Sequence, residues 1–158
     1  MEERCVCCGE VIPEGRQVCI NCERGITMAS KYVPRFSPAE MFARYIVSGM
    51  KEPEGKYRVI TDWASKTLVY DFVKAAKVAK LKGVAPDPVS CWATRRGICQ
   101  DIASLVVIML RAVGIQTYLC IGHADNNYHA WVQAYIGGKV YRYDHEGKAK
   151  VYRLEKRY

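Results

Sequence analysis

Three short stretches supply a thiol, an imidazole and a carboxylate in chain order: Gly97-Ile98-Cys99-Gln100-Asp101, His129-Ala130-Trp131 and Tyr143-Asp144. An imidazole beside a thiol lowers its pKa by holding the proton as an ion pair, which makes a nucleophile near neutral pH. A carboxylate on the far side of the ring fixes its tautomer and stabilises its cationic form. The chemistry such a set would perform is attack of sulfur on a carbonyl, provided the chain brings the three together.

Strand parity brings two of them into reach. Ile136-Gly137-Gly138-Lys139 carries the two-glycine loop of a tight hairpin, which sets residue 136 opposite 139 and Trp131 opposite Asp144. Residues two apart share a face, so His129 and Asp144 become same-face diagonal neighbours, roughly 7–8 Å apart at the backbone. A slip of one residue would put them on opposite faces. Cys99 comes from the start of a helix, where unpaired N–H groups and the positive end of the dipole favour a thiolate. Gly97 allows a tight turn or close approach of substrate there.

The elements that carry these residues follow from periodicity. Ile102, Leu105, Val106, Met109, Leu110 and Val113 recur at intervals of three and four, and Ala103, Val107 and Ile108 make the remaining surface apolar. The helix from Cys99 to the stop at Gly114 should therefore be buried nearly all round. Upstream, Ser37-Pro38-Ala39-Glu40 has the form of a capping box opening a helix to about Ser48, and further helices are expected over 57–69 and 72–82. Ala85-Pro86-Asp87-Pro88 reads as a loop. Beyond Gly114 the period changes to two, giving antiparallel strands at 117–122, 129–136 and 139–143 and a fourth around 150–153. Helices first and an antiparallel sheet second make an α+β fold.

The other reactive groups have plainer readings. His123 is a rival base without a predicted carboxylate partner and reads as a loop residue at a strand end; His145 faces the opposite way from Asp144 if the strand continues. Asp101 reads as a first-turn residue complementing the helix dipole. Cys91 and Cys120 read as structural thiols.

Residues 1–30 form a different unit. Cys5-Val6-Cys7-Cys8 and Cys19-Ile20-Asn21-Cys22 give two pairs of thiols at two-residue gaps with ten residues between the pairs. That spacing curls four thiolates around one ion, so Cys5, Cys8, Cys19 and Cys22 are the expected ligands of a structural zinc, although iron suits the same donors. Gly9 favours Cys8 over Cys7, because a glycine there lets the turn close over the metal. Pro13 and Gly15 supply the turn of an intervening hairpin. Four thiolates leave no open coordination position, so this knuckle is not catalytic, and so short a segment draws much of its folding free energy from the metal.

At 158 residues the chain suits one medium domain, residues 31–158, behind that appendage. The net charge of +8 is divided as −2 over residues 1–30 and +10 over the rest. A basic body can meet nucleic acid, but the lysines after Tyr70 are interleaved with alanine and not with stacking aromatics, the pattern of a solvated helix face. No apolar run approaches the roughly 18 residues of a membrane span, and the acidic, cysteine-rich start is not a signal peptide. Cysteines clustered for metal point to a reducing cytoplasm.

Together, residues 57–146 resemble the transglutaminase-like superfamily, cysteine enzymes with a papain-like active site. The resemblance rests on Tyr70-Asp71 at the end of a helix, Arg96-Gly97-Ile98-Cys99-Gln100-Asp101-Ile102-Ala103, His129-Ala130-Trp131-Val132 and Tyr143-Asp144. It implies a transglutaminase-like core whose nucleophile helix packs on the antiparallel sheet, with Cys99 as nucleophile, His129 as general base and acid, and Asp144 as orienting residue. Members cross-link proteins, deamidate glutamine, cleave peptides or remove glycans from asparagine; active ones pass through a thioester that water or an amine resolves. The backbone N–H of Cys99 would hold the oxyanion, with the Trp92 indole N–H as candidate second donor and a hydrophobic plug beneath the active-site loop as its alternative. No acidic cluster suggests calcium sites, and hydrolysis of a protein or peptide substrate is expected before cross-linking. The rival expectation is a catalytically degenerate interaction module that binds nucleic acid or protein through the knuckle and the basic surface.

Overall fold

The computed structural model describes residues 2–6, 9–23, 30–81, 83–147 and 149–158, without the side chains of Asn21 and Cys22. The elements are β1 (Glu3–Arg4), β2 (Val11–Ile12), α1 (Ile20–Glu23), α2 (Ser37–Ile46), α3 (Pro53–Thr67), β3 (Val69–Tyr70), α4 (Phe72–Val78), α5 (Pro88–Thr94), β4 (Arg96–Gly97), α6 (Cys99–Ala112), β5 (Gln116–Ala124), β6 (Asn127–Ile136), β7 (Lys139–Tyr143) and β8 (Tyr152–Arg157). The last four strands form one antiparallel sheet in the order β7-β6-β5-β8. The fold is the expected α+β, helices first and sheet second. Among the described residues no helix is long and apolar enough to cross a membrane.

Alternation along β6 sets the layers. Ala130, Val132, Ala134 and Ile136 join the core around α6, whereas Trp131 and Tyr135 belong to a second buried cluster. On α6 itself Ile102, Leu105, Val106, Met109 and Leu110 are fully buried, each contributing about 1.5–3 kcal/mol. The one polar residue in this stretch, Ser104, is satisfied by the Tyr32 carbonyl at 2.5 Å. Arg111 closes the far end by donating to the carbonyls of Thr117 and Tyr158. The β6–β7 register runs from Ile136 opposite Lys139 to Val132 opposite Tyr143, as the Gly137-Gly138 turn requires, with both glycines at positive φ.

Several boundaries differ from the sequence expectation. Phe36, not Ser37, is the N-cap of α2; the Glu40 carboxylate accepts the Phe36 N–H and the Arg35 guanidinium, both at 2.8 Å, so no serine bond is needed. Pro88 does not lie in a loop but opens α5, because Asp87 caps it by accepting the Ser90 N–H at 3.0 Å. Tyr70 lies not in a helix but in β3, which pairs in parallel with β4. The fourth strand extends to Arg157.

The N-terminal segment covers the second face of the sheet. Cys5, Ile12, Val18 and Cys19 share a buried cluster with Tyr118, Cys120, Trp131 and Tyr135. The N–H groups of Gln17 and Val18 donate to the Gly138 carbonyl at 2.7 and 3.1 Å, and Glu23, paired with Arg16, accepts the Gly138 N–H at 3.1 Å. A Cβ on Gly138 would lie 2.6 Å from the Arg16 guanidinium, so the hairpin tip must be glycine for contact as well as conformation. The expected hairpin is partly redrawn: Val11 and Ile12 pair back with Arg4 and Glu3, and the turn after Pro13 leads to the Gly138 contact.

Candidate active site

Cys99 is the first residue of α6, and a buried carboxylate holds that helix start in place. Asp101, 1% exposed, accepts the Ile98 N–H at 3.0 Å, the Asp87 N–H at 2.7 Å and the Lys74 ammonium at 2.6 Å. It therefore does more than complement a dipole: it joins the approaches to α4, α5 and α6 at the residue next to the thiol. Gly97 is explained by the same packing, since a Cβ there would lie 2.8 Å from Asp101 Cβ and 3.0 Å from Cys91 Sγ. Burial pushes the Cys91 thiol up to about 12, which keeps it protonated as a packing group.

His129 Nε2 lies 3.0 and 2.9 Å from the two carboxylate oxygens of Asp144. With Nε2 engaged, Nδ1 is the nitrogen left for Cys99, whose side chain hydrogen-bonds the same ring. Burial disfavours the imidazolium, but hydrogen bonds to Asp144 and Cys99 and the charges of both outweigh it and raise the His129 pKa to about 10. Burial alone would raise the Asp144 carboxyl; hydrogen bonds with His129 and Tyr152, the His129 charge and the Glu146 N–H hold it below the usual carboxylate range.

Tyr152 escaped the sequence reading. From β8, which pairs with β5, its hydroxyl reaches across the sheet face to donate to Asp144 Oδ2 at 2.6 Å. Its ring meets Trp131 edge-on at 5.0 Å between centroids, and the Arg142 guanidinium lies over it at 3.6 Å. Trp131 in turn stacks at 6.4 Å on His129. Nothing in the spacing of Tyr152 from Asp144 signals this, because the contact depends on where β8 joins the sheet.

Trp92 packs among Phe36, Phe42 and Trp63 with the Arg95 guanidinium 4.1 Å from its ring centroid, which fits the plug reading. His123 lies within β5, not in a loop, and its Nδ1 is 2.9 Å from a Glu155 carboxylate oxygen, though without hydrogen-bond geometry. Burial lowers the His145 pKa, and its Nδ1 sits 3.0 Å from the Tyr143 hydroxyl. A surface depression of about 130 Å³ opens on His129 and Asp144, flanked by Asn127 and Glu146, whereas the hollow beside Cys99 holds only about 10 Å³.

Of the four expected metal ligands, Cys5 and Cys19 lie in one buried cluster. Cys8 and the side chain of Cys22 lie outside the described residues. Gly9 has φ +78 and donates its N–H to the Cys5 carbonyl at 2.9 Å, the turn closure its place in the sequence suggested. Among the described residues no group of three or more His, Cys, Asp or Glu is placed to hold a metal, but these include only two of the four thiols.

Residues 40–145 match the transglutaminase-like superfamily, and the chain belongs to it. Among solved structures it is similar to a candidate cysteine protease from Cytophaga hutchinsonii, at 22% identity and a TM-score of 0.62, over 77% of this chain and 41% of that one. It is also similar to a candidate protease from Parabacteroides distasonis ATCC 8503, at 21% identity and 0.52, over 67% and 22%. A TGase matches at 15% identity and 0.57, over 86% and 38%. At these identities the likeness is one of fold, and the chain spans less than half the length of each. No curated protein matches it.

Proposed function

We propose that the protein is a thiol-dependent amide or peptide hydrolase working through Cys99, His129 and Asp144, with acyl transfer to an amine as the variant outcome. The observation that carries this reading is the placement of His129, bonded through Nε2 to both oxygens of Asp144 and on its other side to a cysteine at a helix N-terminus. The Cys99 thiolate adds to the carbonyl carbon of the substrate amide, and the displaced electron pair collects on oxygen, held by the Cys99 backbone N–H. Collapse of that adduct breaks the C–N bond as His129 Nδ1–H protonates the departing nitrogen, leaving a thioester. Water then gives a proton to His129 and its oxygen to the acyl carbon, releasing the acid and the thiolate. The depression opening on His129 and Asp144 gives water a route to the imidazole, which supports hydrolysis.

The substrate class is a protein or peptide, and the reducing cytoplasm is the compartment in which this thiol and the N-terminal cysteines stay reduced. Residues 1–30 are read as a structural zinc knuckle with Cys5, Cys8, Cys19 and Cys22 as ligands. The buried indole N–H of Trp131, in the cluster with Cys5 and Cys19, has no hydrogen-bond partner among the described residues, and a metal-bound thiolate is an acceptor for such a donor.

The test is Cys99→Ala on turnover of a peptide or glutamine amide, together with iodoacetamide labelling near neutral pH. Loss of turnover with Cys99 labelled first in the wild type is expected. Unchanged turnover, with no preference among the cysteines, leaves the degenerate interaction module standing instead.

A further inference from the structure

None of the seven residues of α4 is buried, and its first two, Phe72 and Val73, are 74% and 66% exposed. Val69, just before it, is also exposed. A surface helix ordinarily turns its apolar residues toward the core. Here the inward contacts are polar: Asp71 caps the helix by accepting the Lys74 N–H at 3.0 Å, and the Lys74 ammonium reaches the buried Asp101 at 2.6 Å. The apolar residues are left facing outward.

Their place is fixed by the short parallel pair. Val69 lies opposite Arg96 and Tyr70 opposite Gly97, and the Asp71 N–H donates to the Gly97 carbonyl at 2.9 Å. Continued in register, Phe72 falls beside Cys99, so α4 and α6 begin side by side from strands about 4.8 Å apart. The Tyr70 ring meets Phe72 edge-on at 4.9 Å between centroids. Burial and then the nearby Cys99 charge push its phenol up to about 12. Val69, Tyr70, Phe72 and Val73 form an apolar ledge adjoining the thiol, and the hollow beside Cys99, at about 10 Å³, is too small to take a side chain itself.

We propose that this ledge seats an apolar or aromatic side chain of a peptide substrate, next to the amide that Cys99 attacks. The inference rests on the acyl-transfer reading of Cys99. The occupant is a peptide and not a small amide, because covering Phe72 and Val73 takes a side chain beyond the reacting group.

The test compares two peptides that differ only beside the reacting residue, one with Phe or Leu and one with Ser, on wild type, Phe72→Ser and Val73→Ser. Both positions are exposed, so the variants fold. The wild type should favour the apolar peptide by about 10-fold or more in kcat/KM. The variants should bring that ratio toward unity through KM, with the rate of iodoacetamide labelling at Cys99 unchanged. Equal kcat/KM for both peptides in the wild type, or a preference that survives in the variants, overturns the ledge and leaves the acyl-transfer reading intact. A change in sedimentation without a change in preference assigns the face to self-association and also overturns it. Turnover that survives Cys99→Ala, or none with either peptide, overturns the underlying reading.

Discussion

Lys74 and Asp101, 27 residues apart, meet at 2.6 Å, and the same carboxylate holds the backbone N–H groups of Ile98 and Asp87. One buried charge thus fixes the helix start that presents Cys99. Asp101→Ala leaves all three donors unpaired and is expected to cost about 3–5 kcal/mol, read as a lower denaturant midpoint. Iodoacetamide labelling of Cys99 should slow with it. A loss below 1 kcal/mol (roughly the scale of an exposed pair) would show that the carboxylate is dispensable there.

Gly97→Ala tests the packing at the same point. The new Cβ would lie 2.8 Å from Asp101 Cβ, which the start of α6 prevents from retreating, so a destabilisation of about 1–3 kcal/mol is expected. Adding Cys91→Ala relieves only the more distant contact and should not restore the midpoint.

The His129–Asp144 pair sets a pH window. The His129 pKa of about 10 stands above its ordinary 6.5, so its contribution to stability is complete below about pH 6.5 and is lost as pH rises through about 10. Asp144, held below its ordinary 3.8, contributes above that value and loses its contribution as pH falls further. Asp144→Asn should lower the alkaline limb of kcat/KM by at least about one pH unit, since a unit is the scale of one such lost partner. It should also reduce kcat by roughly 10⁴-fold, the size seen when a triad carboxylate is neutralised. An unmoved alkaline limb would separate Asp144 from the titration of His129.

Tyr152→Phe removes one O–H and keeps the ring against Trp131. With a donor gone, the Asp144 carboxyl binds its proton more readily, so the acid limb of kcat/KM should move to higher pH while KM stays put. A purely structural tyrosine would change the denaturant midpoint and leave that limb alone.

Chelation followed by metal analysis probes the knuckle. About one zinc per chain is expected, the stoichiometry of a four-thiolate site. Its removal should shift the indole N–H resonance of Trp131, which sits between the Cys5–Cys19 cluster and His129. A metal-free protein with the same resonance and an ordered N-terminus would remove the zinc from the account.

What could be read in the sequence follows the range of each interaction. The Gly137-Gly138 turn gave the β6–β7 register because a two-residue loop leaves no freedom in pairing, and α6 showed itself by periodicity. The two-residue strands at Val69–Tyr70 and Arg96–Gly97 are too short to have a period, and they were hidden. Asp101 looked local because its backbone partner is local; Lys74, on another element, could not be foreseen. Pro86-Asp87-Pro88 carries both loop and helix-start signals, and only the Ser90 N–H on Asp87 decides between them.

The grip of Gln17, Val18 and Glu23 on Gly138 bears on how the chain can be cut. Charge and cysteine spacing suggest a seam near residue 30, but the hydrophobic core has no seam there. A fragment starting after it would present Tyr118, Trp131 and Tyr135 to water as one adhesive sheet face. For that face the leading segment serves as the missing outer layer, and a shortened protein should be sought with a solubilising cover in its place.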